Sequence, residues 1–263
     1  MEKPIEELQS IALQVRKDIL EMVYKAGSGH PGGSLSAVEL LVSLYFGKMD
    51  ENSHFFLSNG HVCPALYSVM IEKGIIDRAL LSTYTELDSP LQGHPEKLRI
   101  KGIEITSGSL GMGLGVASGF AAIKKDKTVY CMTSDWEHNE GSHWEAVNFA
   151  AKYSLSNLIQ IIDKNGIQIE GTTEEIMPLG NLKEKYEAAS WNVFEINGHN
   201  FEEIMSTLDK IKKGEEISKK EKPTVIIANT IFGRGISFME ENPDWHAKAP
   251  NEDEFKKGME ELK

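Results

Sequence analysis

The chain has 263 residues, is 40% hydrophobic and 26% charged, and carries a formal net charge of −12 at pH 7. That is enough chain for one large globular domain or two small ones with a substantial core. The acidic balance argues against a general nucleic-acid or anionic-membrane surface, but not against a small anion held by backbone N–H groups and a metal ion.

Apolar residues recur at helical spacing from Ile5 to Lys25 among mixed acids and bases. This predicts an amphipathic helix ended by Gly27 rather than a signal sequence. "GSGHPGG", Gly27 to Gly33, reads as a loop, and Ser36 as the cap of the next helix, "AVELLVSLYF". A short strand is expected from Phe55 to Ser58 and a helix from Pro64 to Lys73. After a glycine-rich run, "VASGFAAIKK" reads as a helix, "TVYCMTS" as a strand, "HWEAVNFAAKY" as a helix and "NLIQIID" as a strand. "NVFEI" and "TVIIANT" add two more strands. Strands rich in Val and Ile, alternating with helices, predict an α/β fold: a mostly parallel twisted sheet with helices on both faces.

Lys210 to Lys222 reads as a charge-dense surface loop. The tail, residues 236–263, has no clear period and ends in a short charged helix. No internal repeat is visible, and no apolar run approaches membrane-spanning length. Cys63 and Cys131 lie in apolar surroundings and read as reduced core thiols. Together these features predict a soluble, cytoplasmic protein.

Asp135 and Asn165 follow two strands joined by a single helix. A right-handed βαβ unit brings both to the carboxyl edge of the sheet, where open α/β folds bind ligands. A carboxylate and a carboxamide oxygen are hard donors suited to Mg²⁺ or Ca²⁺, although both residue types also form turns. "SGSLGMGLGVASG", Ser107 to Gly119, lets backbone approach an anion at a helix start, or else serves close helix packing. It does not match the dinucleotide fingerprint. His30, His61 and His94 sit beside Gly or Pro in expected loops, and His246 lies in the tail. Neutral imidazoles there can bind hydroxyls and pass protons. Cys131, His138 and His143 have no zinc-site spacing. Arg16, Arg78, Arg99 and Arg234 are the whole set of arginines, few bidentate clamps for a phosphorylated substrate, with another chain as a further source.

In this order, "SGHPGGSLSAVELLVSLYF", "LSNGHVCPALYSVM", "QGHPE", "TSGSLGMGLGVASGFA", "SDWEHNEGSHWEA", "NLIQIIDKNGIQIEG", "EINGHN" and "GRGISFMEENPDWHAKAPN" resemble the amino-terminal, diphosphate-binding part of transketolase. The resemblance covers nearly the whole chain. It implies one diphosphate-binding domain over residues 1–263 with 236–263 as a C-terminal arm, and thiamine diphosphate as cofactor. It implies Mg²⁺ or Ca²⁺ held by Asp135, Asn165 and the carbonyl of Ile167. Backbone around Gly108, Leu110 and Trp136, with His61, would hold the diphosphate. Glu140 would sit by the cofactor and couple paired sites, and Ile167 and Ile169 would lie near the thiazolium. His30, His94 and His246 would face the reacting carbons, with His246 also beside the cofactor. The implied reaction moves a two-carbon ketol unit from a ketose phosphate to an aldose phosphate.

Two departures from the family pattern stand out. Full-length transketolases continue into pyrimidine-binding and C-terminal domains, which this chain lacks. The resemblance therefore implies a split enzyme in an α2β2 assembly, whose C-terminal subunit supplies the activating glutamate and phosphate-binding arginines. The family also has Gly-Asp-Gly where this sequence reads Ser134-Asp135-Trp136, and a positive φ at Trp136 would be strained. Two other readings stay open. One is a component of another thiamine-diphosphate enzyme, 2-oxo-acid dehydrogenase alpha-like or deoxyxylulose-phosphate synthase-like. The other is a non-catalytic partner with a degenerate cofactor site, which Trp136 alone favours.

Overall fold

The structure, a computed structural model, describes residues 3–215 and 221–263. Its helices in chain order are α1 (Ile5–Ala26), α2 (Pro31–Ser36), α3 (Val38–Ser43), α4 (Cys63–Glu72), α5 (Gly113–Ile123), α6 (Gly141–Lys152), α7 (Thr173–Ile176), α8 (Leu182–Ala188), α9 (Phe201–Lys213) and α10 (Glu252–Glu261). The strands are β1 (Ser53–Leu57), β2 (Thr128–Ser134), β3 (Leu158–Lys164), a two-residue pair β4 (Ile167–Gln168) and β5 (Gly171–Thr172), then β6 (Asn192–Asn197) and β7 (Thr224–Asn229). Five of them form a sheet in the order β1-β2-β3-β7-β6, parallel at every pairing.

Side-chain alternation divides the core in two. Along β3, Ile159 and Ile161 join one apolar cluster with residues of α1, α3, α4 and α9. Leu158 and Ile162 join the other, with residues of α5, α6 and α8. Both faces of the sheet are covered, which is why its strands read as continuous apolar runs. The α1 stripe Leu8, Ala12, Val15 and Ile19 is buried. Gly27 then takes φ 61° and donates its N–H to the Tyr24 carbonyl, ending the helix.

Three local expectations are corrected. Residues 31–36 form a helix, not a loop, because Pro31 stands at its first position, where its fixed φ helps and no N–H is needed. Gly32 is required there for packing: a Cβ would lie 2.0 Å from the Phe232 ring. Ser36 caps nothing. It is the last residue of α2, with its hydroxyl 2.6 Å from Asp163 Oδ2. Lys210 to Lys213 belong to α9, which is capped by the Asn200 side chain and ended by Gly214 at φ 69°. Residues 216–220 of that charge run lie outside the described residues.

The tail is better packed than its sequence suggests. Pro243–Trp245 make a 3-10 turn, α10 opens with a reciprocal Asn251–Glu254 cap, and Trp245 and Leu262 are buried. Phe255 stacks on Tyr24 of α1 with ring centroids 4.2 Å apart. Among the described residues, no helix is long and apolar enough to cross a membrane.

Candidate cofactor and active site

β2 and β3 pair in register through Ser134 and Asp163, so Asp135 and Asn165 emerge side by side at the carboxyl edge. Asp135 is fully buried. Its Oδ1 accepts from Trp136 N and its Oδ2 from Gly166 N, each at 2.9 Å. Asn165 Oδ1 accepts from Ile167 N at 3.1 Å, while its Nδ2 donates to Ser36 Oγ and Asp163 Oδ2, both at 3.2 Å. Burial pushes the Asp135 carboxyl up to about 7; the Gly166 N–H draws it back down, and neighbouring Asp163 adds to the rise. A buried carboxyl beside a second one, with no ion-pair partner among the described residues, is stabilised either by taking up a proton or by a neighbouring cation. Asp135, Asn165 and the Ile167 carbonyl offer the hard oxygens that Mg²⁺ or Ca²⁺ prefers. Among the described residues, no three His, Cys, Asp or Glu side chains converge as metal ligands, so carboxamide and carbonyl oxygens would have to complete the set.

Trp136 heads a 3-10 turn, Trp136–Asn139, and its φ is not positive. The strain expected of a bulky residue here is therefore absent. The indole stands 5.7 Å from the His61 ring and 5.9 Å from His246. Across from it runs the glycine-rich loop. Gly108 and Gly111 have φ 154° and 79°, a region that favours glycine. A Cβ on Gly108 would press on the His94 ring at 3.3 Å, and one on Gly111 would lie 2.5 Å from Glu140 Cβ. The loop is pinned by Glu137, a fully buried carboxylate. Glu137 Oε1 accepts from Ser58 Oγ at 2.5 Å and Gly111 N at 2.8 Å; Oε2 accepts from Ser134 N at 2.9 Å. Ser58 Oγ in turn accepts from Gly113 N at 3.1 Å, at the start of α5. Ser134 Oγ faces the Glu137 carboxylate, and buried Ser107 Oγ has no protein partner. A hydroxyl donor beside glycine backbone fits an anionic ligand.

The four histidines singled out in the sequence come together. His30 lies 5.5 Å from His61, 5.9 Å from His94 and 5.4 Å from His246, ring centroid to centroid, and His61 lies 5.5 Å from His246. Burial, with His246 and His94 nearby, lowers His30 to about 4. Burial likewise lowers His61, His94 and His246. All four are neutral at pH 7, each able to donate at one nitrogen and accept at the other. His30 Nδ1 is buried and unpartnered.

The remaining candidates sit at the margins. Leu110 is half-buried, and Glu140 is exposed at the N-cap of α6. Ile169 is 48% exposed in the β4–β5 turn with φ 53°, a strained value for a β-branched residue. All four arginines are engaged with carboxylates: Arg16 with Glu39, Arg78 with Asp18, Arg99 with Glu96 and Arg234 with Glu240. The sequence reading missed Glu137 and Asp163. Nothing in their spacing distinguishes them from surface acids, and only burial reveals them.

A parallel sheet that brings a buried acid, a glycine-rich loop and four imidazoles together at its carboxyl edge defines an α/β protein of the kind that binds its ligand at that edge. The chain matches the family described as "Transketolase, thiamine diphosphate binding domain" over residues 8–262. It belongs to that family. It is 38% identical over 271 residues to one of the subunits of the apulose-4-phosphate transketolase of Phocaeicola vulgatus, covering 98% of this chain and 94% of that protein. It is 39% identical over 269 residues to the 6-deoxy-6-sulfo-D-fructose transketolase subunit SqwG of a Clostridium species, covering 97% and 96%. The crystal structure of Campylobacter jejuni transketolase aligns with a TM-score of 0.86 at 32% identity, over 99% of this chain but 43% of that one. The chain therefore spans less than half of that transketolase and nearly all of the two subunits.

Proposed function

We propose that this chain is the thiamine-diphosphate-binding subunit of a split transketolase, moving a two-carbon ketol unit from a ketose phosphate to an aldose phosphate in company with a second chain. The observation that carries this reading is the convergence of His30, His61, His94 and His246 beside the Asp135–Trp136 turn. Bound thiamine diphosphate would supply the carbon nucleophile and the electron sink.

Asp135, Asn165 and the Ile167 carbonyl would hold Mg²⁺ or Ca²⁺, and His61 with backbone around Gly108, Leu110 and Trp136 would hold the diphosphate. Ile167 and Ile169 would flank the cofactor ring, and Glu140 would link paired sites. His30, His94 and His246 would grip sugar hydroxyls, donate to developing negative charge on oxygen and pass protons. Their lowered basicity suits these roles, because a neutral ring can both give and take a proton at pH 7.

The partner would be a C-terminal transketolase subunit, two copies of each chain forming a cytoplasmic assembly. Three facts support it. Relatives that the chain matches over nearly their whole length are named as transketolase subunits. Its arginines are already paired, leaving the phosphate ends of the substrates to another chain. Helices α5 and α6 with their flanking cap residues also expose Met112, Val116, Phe149 and Tyr153, an apolar face suited to burial against a partner.

Calorimetry with thiamine diphosphate and Mg²⁺, with and without the second chain, tests the proposal. Binding heat confined to the mixture supports it. Absence of binding in both would mark a non-catalytic subunit.

A further inference from the structure

Behind the Asp135 turn, on the face of the sheet opposite Asp163, lies a buried polar cluster that the proposed chemistry does not use. His138 is 4% exposed, and His143, Gln160 and Tyr186 are fully buried. The two histidines both turn Nε2 toward the Tyr186 hydroxyl, at 2.9 Å from His138 and 2.8 Å from His143.

Proton accounting gives the cluster a direction. His138 Nδ1 lies 2.6 Å from the backbone carbonyl oxygen of Asp135. A carbonyl only accepts, so Nδ1 carries the hydrogen. In an imidazole with one ring hydrogen, Nε2 is then a bare acceptor, and the Tyr186 O–H faces it at 2.9 Å. Having given its proton to His138, the Tyr186 oxygen accepts from His143 Nε2–H. His143 Nδ1 is then bare, in keeping with its lack of a partner. As placed, Gln160 Oε1 faces the Tyr186 hydroxyl at 2.8 Å, while its Nε2 lies 3.0 Å from Thr133 Oγ1 and 3.3 Å from His143 Nε2. Turning the amide over sets its NH₂ toward the Tyr186 oxygen and its carbonyl toward Thr133 O–H and His143 Nε2–H, whereas His138 Nε2 has no such alternative. Trp144 Nε1 donates to the His138 backbone carbonyl at 2.7 Å, which anchors the turn that carries the ring.

The consequence reaches the cofactor side through one peptide plane. The Asp135 carbonyl accepts from the His138 ring at 2.6 Å and from His138 N at 3.0 Å. That fixes the carbonyl, and the planar peptide bond carries the constraint to the Trp136 N–H on its other side. We infer that His138 and Tyr186 are positioning residues: a directed chain, Tyr186 O–H to His138 Nε2 and His138 Nδ1–H to the Asp135 carbonyl, sets the Asp135–Trp136 peptide and with it the affinity for a divalent cation and a diphosphate. The inference rests on the proposed function for its ligand but not for its geometry. A buried polar network of this kind is retained where orientation matters more than apolar packing.

Tyr186→Phe deletes one oxygen and nothing else. With the second chain present, the variant should bind thiamine diphosphate in Mg²⁺ about 10-fold more weakly, the lower end of losses seen when an outer partner of a ligand is removed. Turnover at saturating cofactor should stay within about twofold, because no reacting group has been touched. His138→Asn, which keeps a donor for the Asp135 carbonyl, should retain more affinity than His138→Ala. In the cofactor-free full chain, ¹⁵N NMR should show His138 as the Nδ1–H tautomer, mixed in Tyr186→Phe, with faster amide exchange at Trp136. An Nε2–H tautomer in the wild type, or unchanged Trp136 exchange in Tyr186→Phe, overturns the positioning chain. Failure of the wild type to bind thiamine diphosphate beside the second chain overturns the split-transketolase reading instead, and the cofactor-free measurements still decide the chain of hydrogen bonds.

Discussion

Replacing Glu137 tests how the site is assembled. Its two oxygens serve three donors on three separate segments: Ser58 after β1, Gly111 in the glycine loop and Ser134 at the end of β2. Gln has one acceptor oxygen where Glu has two. In Glu137→Gln the amide either keeps Ser58 and Gly111 and sets its NH₂ against Ser134 N–H, or does the reverse. At least one buried N–H then loses its acceptor, which costs about 1–3 kcal/mol. Relief of a buried charge, whose cost is visible in the raised Glu137 carboxyl, offsets part of this. Glu137→Leu strands all three donors, about 3–9 kcal/mol by simple addition, comparable to the whole stability of an ordinary domain. Urea unfolding should therefore show a lowered midpoint at unchanged slope for Gln, and little cooperative transition for Leu. A Gln variant within about 0.5 kcal/mol of wild type would refute the claim that this carboxylate pins the loop.

Asp135→Ala should abolish Mg²⁺-dependent binding of thiamine diphosphate while the protein still unfolds cooperatively; retained affinity by calorimetry would remove Asp135 from the metal site. Trp136→Gly should preserve or improve cofactor affinity, because the N–H stays and φ is unstrained, at about 1 kcal/mol of stability through backbone entropy. A large loss of affinity would mean that the indole itself contacts the cofactor. His246→Ala should depress turnover more than cofactor affinity, and the opposite split in steady-state kinetics would take it away from the reacting carbons. For His30, the folded pKa of about 4 lies below the ordinary 6.5. Between those values the unfolded chain takes up a proton that the folded one refuses, so its share of stability is present above pH 6.5 and lost as pH falls toward 4. The full loss is about 3 kcal/mol. Denaturation of His30→Gln from pH 7 to pH 4 should show a shallower decline than wild type, and parallel curves would contradict the shift.

Sequence alone determined the parallel α/β class, the first helix and its glycine end, and the arrival of Asp135 and Asn165 at one edge. These follow from periodicity and from the handedness of a single βαβ connection, both local properties of the chain. It also marked the loop histidines, but as four separate suspects spread from residue 30 to residue 246. That they meet within 6 Å was decided by tertiary structure, because residues that far apart in sequence are joined only by the stacking of loops over the sheet edge. The helix at Pro31–Ser36 escaped the local reading because the reason for Gly32 is tertiary: a Cβ there would lie 2.0 Å from the distant Phe232 ring. Glu137, Asp163, His138 and Tyr186 look like ordinary polar residues in the sequence. They acquire their roles from burial, which strips away water and leaves each donor and acceptor dependent on a partner from another segment.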